Sequence, residues 1–317
     1  MGSTRVLVTG GSGFLGSLLS RVLGDSFEVH SLQRTPAPGQ ENVHLADLRD
    51  ALAVEALIAK VRPEIVVHTA AQSDVRSAEE DPRGAIEINI HAAMRLAEAC
   101  CRNGCAQVIA LSSAKAAHPQ NTYGLSKALM ERCLLKLAHL PGCRVISLRL
   151  PNLLDSPRSF LADWRRMLAE GGRVVTTGYE MERFACTGSD AARHVGALIA
   201  ARDSVESGTV APVSKAVRIK DALLAFTGTH KCAFERRDSG LETATRDIMI
   251  AEHEAPWTNR IETGQVPFFH MTPGLRKPGH IDAQVDTGSA EFYSVAELRD
   301  LARAAQGSAL PMETERE

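Results

Sequence analysis

The eight residues Thr9–Gly16, TGGSGFLG, limit the folds open to this chain more than any other stretch. They follow an apolar, β-branched run, Arg5–Val8, and lead into an apolar-periodic stretch from Phe14 to Leu23. Glycines at this spacing permit a tight turn, close approach of the backbone to a pyrophosphate, and close contact between the next helix and the strand. The amino end of that helix then faces the phosphates. Strand, glycine turn and helix predict the first βαβ unit of a dinucleotide-binding domain, with Gly10, Gly13, Phe14, Leu15 and Gly16 around the cofactor.

The next 130 residues keep the same rhythm. Strand-like runs at Glu28–Leu32, Val43–Leu45, Glu64–Thr69, Gln107–Leu111 and Arg144–Leu150 alternate with helical patterns at Ala51–Val61, Ala85–Arg102 and Tyr123–Leu140. Several strands are continuous apolar runs, which suits a parallel sheet covered on both faces. The predicted fold class is α/β: a doubly wound parallel sheet (Rossmann) over residues 1–150, with a smaller C-terminal substrate lobe. Beyond Pro151 the rhythm breaks at Pro157, Gly171-Gly172 and Gly178, although Asp190–Arg202 reads as one more core-facing helix. Residues 151–306 are expected to complete the sheet and form the lobe, with Ser294–Ala305 a last helix opened by Ser294 and Glu297. Residues 307–317 read as a polar tail.

Composition removes several function classes. A formal net charge of −2 gives no electrostatic case for nucleic acid or an anionic membrane surface. Arg165-Arg166 and Arg236-Arg237 are pairs rather than patches. The seven cysteines include no Cys-x-x-Cys and accompany no histidine cluster, so no metal site is expected. Cys100, Cys101 and Cys105 read as small core residues. With neither a signal peptide nor a bilayer-length apolar run, the expected compartment is the cytoplasm.

The second strand ends in HSLQRT, where an acidic residue would normally hold an NAD ribose. Gln33 and Arg34 stand there instead, which predicts NADP, with NAD as the alternative. Asp47, in the segment ADL with Leu48, could accept from the adenine amino group. His68–Ala71, HTAA, places small residues, among them Ala70 and Ala71, where the nicotinamide half must pass.

Chemistry concentrates in Leu111–Lys127, LSSAKAAHPQNTYGLSK. Tyr123 and Lys127 lie four apart and share a helix face. A Tyr beside a Lys can titrate below its ordinary value of about 10 and act as a base near neutrality. Ser112 and Ser113 end an apolar run, as at the carboxyl edge of a strand, and Lys115 stands between them and the Tyr.

With TGGSGFLG, ADL, HTAA, Asn89, the Ser pair and Tyr123-x-x-x-Lys127 in this order, the chain resembles the extended short-chain dehydrogenase/reductases. LSSAKAAHPQNTYGLSK, Asn152 and EGGRVVTTGYEMERFACT are similar to the inverting UDP-N-acetylglucosamine 4,6-dehydratases. The resemblance covers residues 5–202. It implies that Tyr123 takes the proton from a sugar hydroxyl as hydride leaves for the nicotinamide. Lys127 would lower the Tyr pKa and hold the nicotinamide ribose, Ser112 or Ser113 would bind the reacting oxygen, and Asn89 would belong to the cofactor site. Lys115 would be the base beside the new ketone. Asn152, Arg158, Glu180 and Arg183 are the expected substrate contacts, with His118 structural or solvent-exposed.

Two departures bear on the reaction. The family's acidic residue before the Lys is Ala114 here, so Glu180, Asp74 or a water must supply the proton, or the enzyme is an epimerase. The family's downstream Arg-x-Gly-Glu-Lys segment appears only as RRDSGLETATRD, which leaves a sugar nucleotide or a nucleoside as substrate. Three readings follow: a dehydratase, an epimerase using the same transient oxidation, and a non-catalytic NADP-binding regulator. In this superfamily two helices commonly pair into a homodimer, which Ala85–Arg102 and Tyr123–Leu140 would supply.

Overall fold

The computed structural model describes residues 3–36, 41–139, 142–171, 173–176, 178–229, 233–236, 244–264, 266–273 and 279–304. The expected tail 307–317, Gly172, Arg237 and most of RRDSGLETATRD lie outside the described residues. The N-terminal half runs β1 Arg5–Thr9, α1 Phe14–Gly24, β2 Glu28–Gln33, β3 Val43–Leu45, α2 Ala51–Val61 and β4 Ile65–His68. It continues through α3 Val75–Glu80, α4 Pro82–Ala85, α5 Ala93–Arg102, β5 Gln107–Ser113, α6 Thr122–Leu135 and β6 Arg144–Leu150.

Strands β6, β5, β4, β1, β2 and β3 pair side by side, all parallel. The second half completes the sheet. Gly208–Pro212 adds in parallel to β6, followed by Val266–Met271 and Thr258–Thr263 as an antiparallel edge. Strand order reverses between β1 and β4, which opens a crevice at their carboxyl ends, where ligands bind in such sheets.

The apolar runs of the central strands are buried because both faces are covered. On one face Leu7, Val66 and Val108 meet Ile58, Leu96, Met130 and Leu134 of the flanking helices. On the other, Val6, Val8, Val67 and Ile146 meet Leu19 and Leu23 of α1 and Val195 and Leu198 of the helix Gly188–Ala200. The lobe has its own cluster, in which Trp164, Phe226, Leu223 and Leu298 pack together. A small fourth cluster, Ala114, Phe184, Met249, Ile250 and Met271, joins the lobe to the sheet beneath the crevice.

One expected helix differs. Ala85–Arg102 is not uniformly α-helical: a π-helical stretch, Ile86–Ala92, separates α4 from α5. Such a bulge re-aims side chains, and here it carries Asn89 into the interior.

Candidate active site

The glycine turn forms as its spacing predicts. Gly10 has φ +72, and a Cβ there would lie 2.9 Å from the Ala70 amide nitrogen. A Cβ on Gly16 would lie 2.0 Å from the Gly10 carbonyl oxygen, so only a bare backbone lets α1 start this close to the turn. Gly13 caps α1 with no side-chain hydrogen bond, and the first turn holds no acidic residue. Its leading N–H groups therefore remain for an outside acceptor, and the cradle fits a pyrophosphate. The side chains of Phe14 and Leu15 serve packing: the Phe14 ring lies against Gly188, and Leu15 against the core.

At the adenosine end the structure separates Gln33 from Arg34. Gln33 is buried, donates to the Thr35 carbonyl at 2.8 Å and accepts from Ser31, so it faces the protein rather than a ribose. Gln33 is the last residue of β2, and Arg34 begins the bend by which the chain leaves the sheet. Arg34 is exposed. Asp47 accepts from the Arg49 guanidinium at 2.6 Å, and that bond holds its carboxyl at about 2. Leu48 is buried in the core.

The end of β4 holds two polar groups inside the protein. His68 Nδ1 lies 2.8 Å from Thr9 Oγ1, and its Nε2 is buried without a hydrogen-bond partner among the described residues. Burial, with the Lys127 charge nearby, depresses the His68 pKa to about 3, so the ring is neutral. Asn89 accepts from the Gln72 amide at 2.8 Å and donates to the Gln72 carbonyl and to Ser126 Oγ. The expected cofactor contact at Asn89 is therefore a clamp between the loop carrying Ala70 and Ala71 and helix α6.

Helix α6 begins firmly. Asn121 accepts from the Gly124 amide at 2.9 Å, and Glu79 of α3 accepts from the Thr122 amide and hydroxyl. This presents Tyr123 and Lys127 toward the end of β5. Of the two serines, Ser113 is the one whose hydroxyl faces Tyr123 and favours its charged form. Ser112 is turned away, donating to Glu131 at 2.5 Å in the interior, which corrects its assignment to the reacting oxygen. Burial raises the Tyr123 pKa, opposed by the Lys115 charge and the Ser113 hydroxyl. Burial lowers Lys127 to about 8, opposed by the Glu131 carboxylate. Lys127 Nζ donates to the Leu111 carbonyl at 2.7 Å.

Lys115 extends from a short 3-10 turn, Ala114–Ala116, and donates to Asn152 Oδ1 at 3.0 Å. Asn152 Nδ2 donates in turn to the Phe184 carbonyl and to Asp247 Oδ2, at 2.9 and 3.2 Å. Asn152 thus holds Lys115, where a substrate contact was expected. Arg183 is buried against Asp247 at 3.5 Å and donates to the Glu182 and Ala244 carbonyls, so it anchors the lobe instead of standing free as a phosphate clamp. Lys115, Arg183 and Asp247 line one pocket with Ala114, His118, Gln120, Asn121 and Arg246. Glu180 and Arg158 are exposed and outside that lining. Asp74 caps α3 through Ser77.

Sequence reasoning missed Asp247, Arg246 and the pocket position of His118. Asp247 lies in the very segment set aside for its lost Gly-Glu-Lys, and no local pattern ties it to Asn152. A buried network was also missed. Arg149 donates to Glu131 at 2.7 Å and to Glu254 at 2.6 Å, linking α6 to the segment Glu252–Trp257.

The model of the polysaccharide biosynthesis protein family matches residues 6–243. A probable polysaccharide biosynthesis protein, EpsC of Bacillus subtilis (strain 168), is 30% identical over 218 residues, 62% of this chain and 36% of that protein. The chain thus spans about a third of EpsC. A UDP-N-acetylglucosamine 4,6-dehydratase (inverting) of Campylobacter jejuni is 25% identical over 290 residues, 86% of this chain and 84% of that one. The structure of MoeE5 in complex with UDP-glucose and NAD superimposes with a TM-score of 0.72 at 21% identity, covering 95% of this chain and 99% of MoeE5. Among the described residues no helix is long and apolar enough to cross a membrane. With three-quarters of its length inside the match, this chain belongs to the polysaccharide biosynthesis protein family, within the extended short-chain dehydrogenase/reductases.

Proposed function

We propose that the chain is a nucleotide-sugar dehydratase acting by transient oxidation of a sugar hydroxyl. The observation that carries this reading is the placement of Lys115, held by Asn152 in a pocket beside Tyr123 and Ser113. Simple inversion at the oxidised carbon needs no second base, whereas elimination needs one beside the ketone. A nicotinamide dinucleotide, when bound, supplies the hydride acceptor and donor. Gly10, Gly13 and Gly16 would admit its pyrophosphate, and Arg34 beside Arg49 favours a 2′-phosphate, hence NADP.

The chain's own residues then divide the proton work. Ser113 donates to the reacting oxygen, and Tyr123 accepts that oxygen's proton. Lys127, one helical turn beyond Tyr123, would hold the nicotinamide ribose. Lys115 takes the proton from the carbon beside the ketone and later returns it. Names of similar proteins, the inverting dehydratase of Campylobacter jejuni and MoeE5 with UDP-glucose, support a UDP-sugar as substrate. Ile86, Leu125 and Leu129 are exposed on the two helices expected to pair, which supports a homodimer.

Ala114 favours a second reading, epimerisation beside the ketone, because a methyl group gives no proton to a leaving hydroxyl. Mass spectrometry of NADP-loaded protein in deuterated water with UDP-, dTDP- and GDP-sugars separates the two. A product lighter by one water, absent with Lys115→Ala, supports the dehydratase. Deuterium uptake at unchanged composition supports the epimerase, and no change with any sugar removes both.

A further inference from the structure

We propose that His118 is the general acid that protonates the departing hydroxyl group, in the place that Ala114 leaves without a carboxyl. The inference rests on the dehydratase reading and deepens it. His118 stands three residues beyond Lys115, and the two line the same pocket as the Ala114 methyl. Elimination needs a base and an acid within reach of adjoining atoms of one substrate, and this pocket brings an amine and an imidazole together.

The neighbouring carboxylates are unsuited. Asp247 accepts from Asn152 and from the Phe184 amide and lies 3.5 Å from the Arg183 guanidinium, contacts that all favour its charged form. For Asp74, burial raises the pKa, but the Ser77 amide and hydroxyl with Arg158 and Arg76 outweigh it and hold the carboxyl below its ordinary range. Glu180 is exposed and outside the pocket lining. An imidazole carries and gives up a proton in the neutral range. Arg183, Arg246 and Asp247 face the same pocket.

The step balances. The Lys115 amine takes the proton from the carbon beside the ketone, and that C–H pair becomes the new carbon–carbon double bond. The adjoining C–O bond breaks, its pair stays on oxygen, and the His118 proton converts the hydroxyl to water. Lys115 ends as an ammonium and His118 as a neutral imidazole, which regains a proton from solvent through its exposed side.

The test compares the wild type with His118→Gln, in deuterated water with NADP. It uses UDP-N-acetylglucosamine and its analogue bearing fluoride in place of the departing hydroxyl. Fluoride leaves without needing a full proton, so its loss reads the base alone. His118→Gln is expected to lose water elimination by roughly 10²–10⁴-fold while retaining deuterium uptake beside the ketone and fluoride loss within about tenfold of wild type. Unchanged water elimination overturns the assignment, as does equal loss with both leaving groups, which marks a structural role. A wild type that exchanges deuterium without losing water or fluoride is an epimerase, and the dehydratase reading falls with this one. A wild type inert toward this substrate and the wider sugar panel overturns the proposed function itself.

Discussion

Lys115 Nζ donates to Asn152 Oδ1 over 3.0 Å, across the adjacent carboxyl ends of β5 and β6. The Asn152 amide is itself fixed by the Phe184 carbonyl and Asp247. An amine on a flexible stem is thereby given one position. Asn152→Ala is expected to slow deuterium uptake beside the ketone by roughly 10²-fold, the usual effect of misplacing a reacting group by an ångström, with the NADP Kd unchanged. Mass spectrometry and a fluorescence titration check the two halves, and a weakened Kd with normal exchange would reverse the assignment.

Gly16→Ala places a methyl carbon 2.0 Å from the Gly10 carbonyl oxygen, a backbone atom that cannot swing aside. The expected result is a loss of roughly 1–3 kcal/mol of stability, as for overpacking elsewhere, together with loss of dinucleotide binding. Urea unfolding and NADP titration report the two. Wild-type binding in this variant would place the pyrophosphate elsewhere.

Arg34 is the exposed cation at the end of β2, and Arg49 is oriented nearby by Asp47. Arg34→Ala should weaken NADP by roughly tenfold to a hundredfold, the worth of one charge-assisted phosphate contact, and leave NAD within about twofold. Equal weakening of both cofactors would count against a 2′-phosphate site.

Arg149 sits between Glu131 and Glu254 in the interior, with a side chain 3% exposed. Burial opposes its charge, but the two carboxylates more than offset this and raise its pKa. Arg149→Met strands both carboxylates and should cost about 3–5 kcal/mol in urea unfolding. The triple variant with Glu131→Gln and Glu254→Gln should recover part of that loss, because amides tolerate burial without a counter-charge.

His68 gives a pH signature. Its folded pKa of about 3 lies well below that of an exposed imidazole, about 6.5. Between these values the unfolded chain binds the extra proton, so stability falls as pH drops through this window, by about 1.4 kcal/mol per pH unit. His68→Asn should flatten the urea midpoint against pH between about 6.5 and 3, relative to wild type. Parallel curves for the two proteins would show that His68 is not the group responsible.

Features whose physics is local were legible in the sequence. The glycine turn, the alternation of strands and helices, and the placing of Tyr123 and Lys127 one turn apart on one helix all depend on spacings of a few residues. The choice between Ser112 and Ser113 does not. On a strand, consecutive side chains face opposite sides, so one of the two had to point inward, and only the position of Glu131 shows which. Gln33 and Arg34 part at the end of β2, where the strand stops and the chain turns out to solvent. Asn89 was read as a cofactor contact because its partners, Gln72 and Ser126, reach it only once the loop after β4 and α6 have packed.

Local patterning along the chain suffices for a doubly wound sheet with a glycine cradle at the head of its first helix and a Tyr and a Lys one turn apart on another. Hydrophobic period and backbone sterics act over a few residues, and they leave little choice. The surroundings of Lys115 come from long-range packing. Asn152, Arg183 and Asp247 come from segments up to 132 positions away and meet because the lobe folds back across the carboxyl edge of the sheet. Such meetings follow from the packing of separate elements, where one charge is held by whichever partner the fold brings within 3 to 4 Å, and no spacing along the chain encodes that distance.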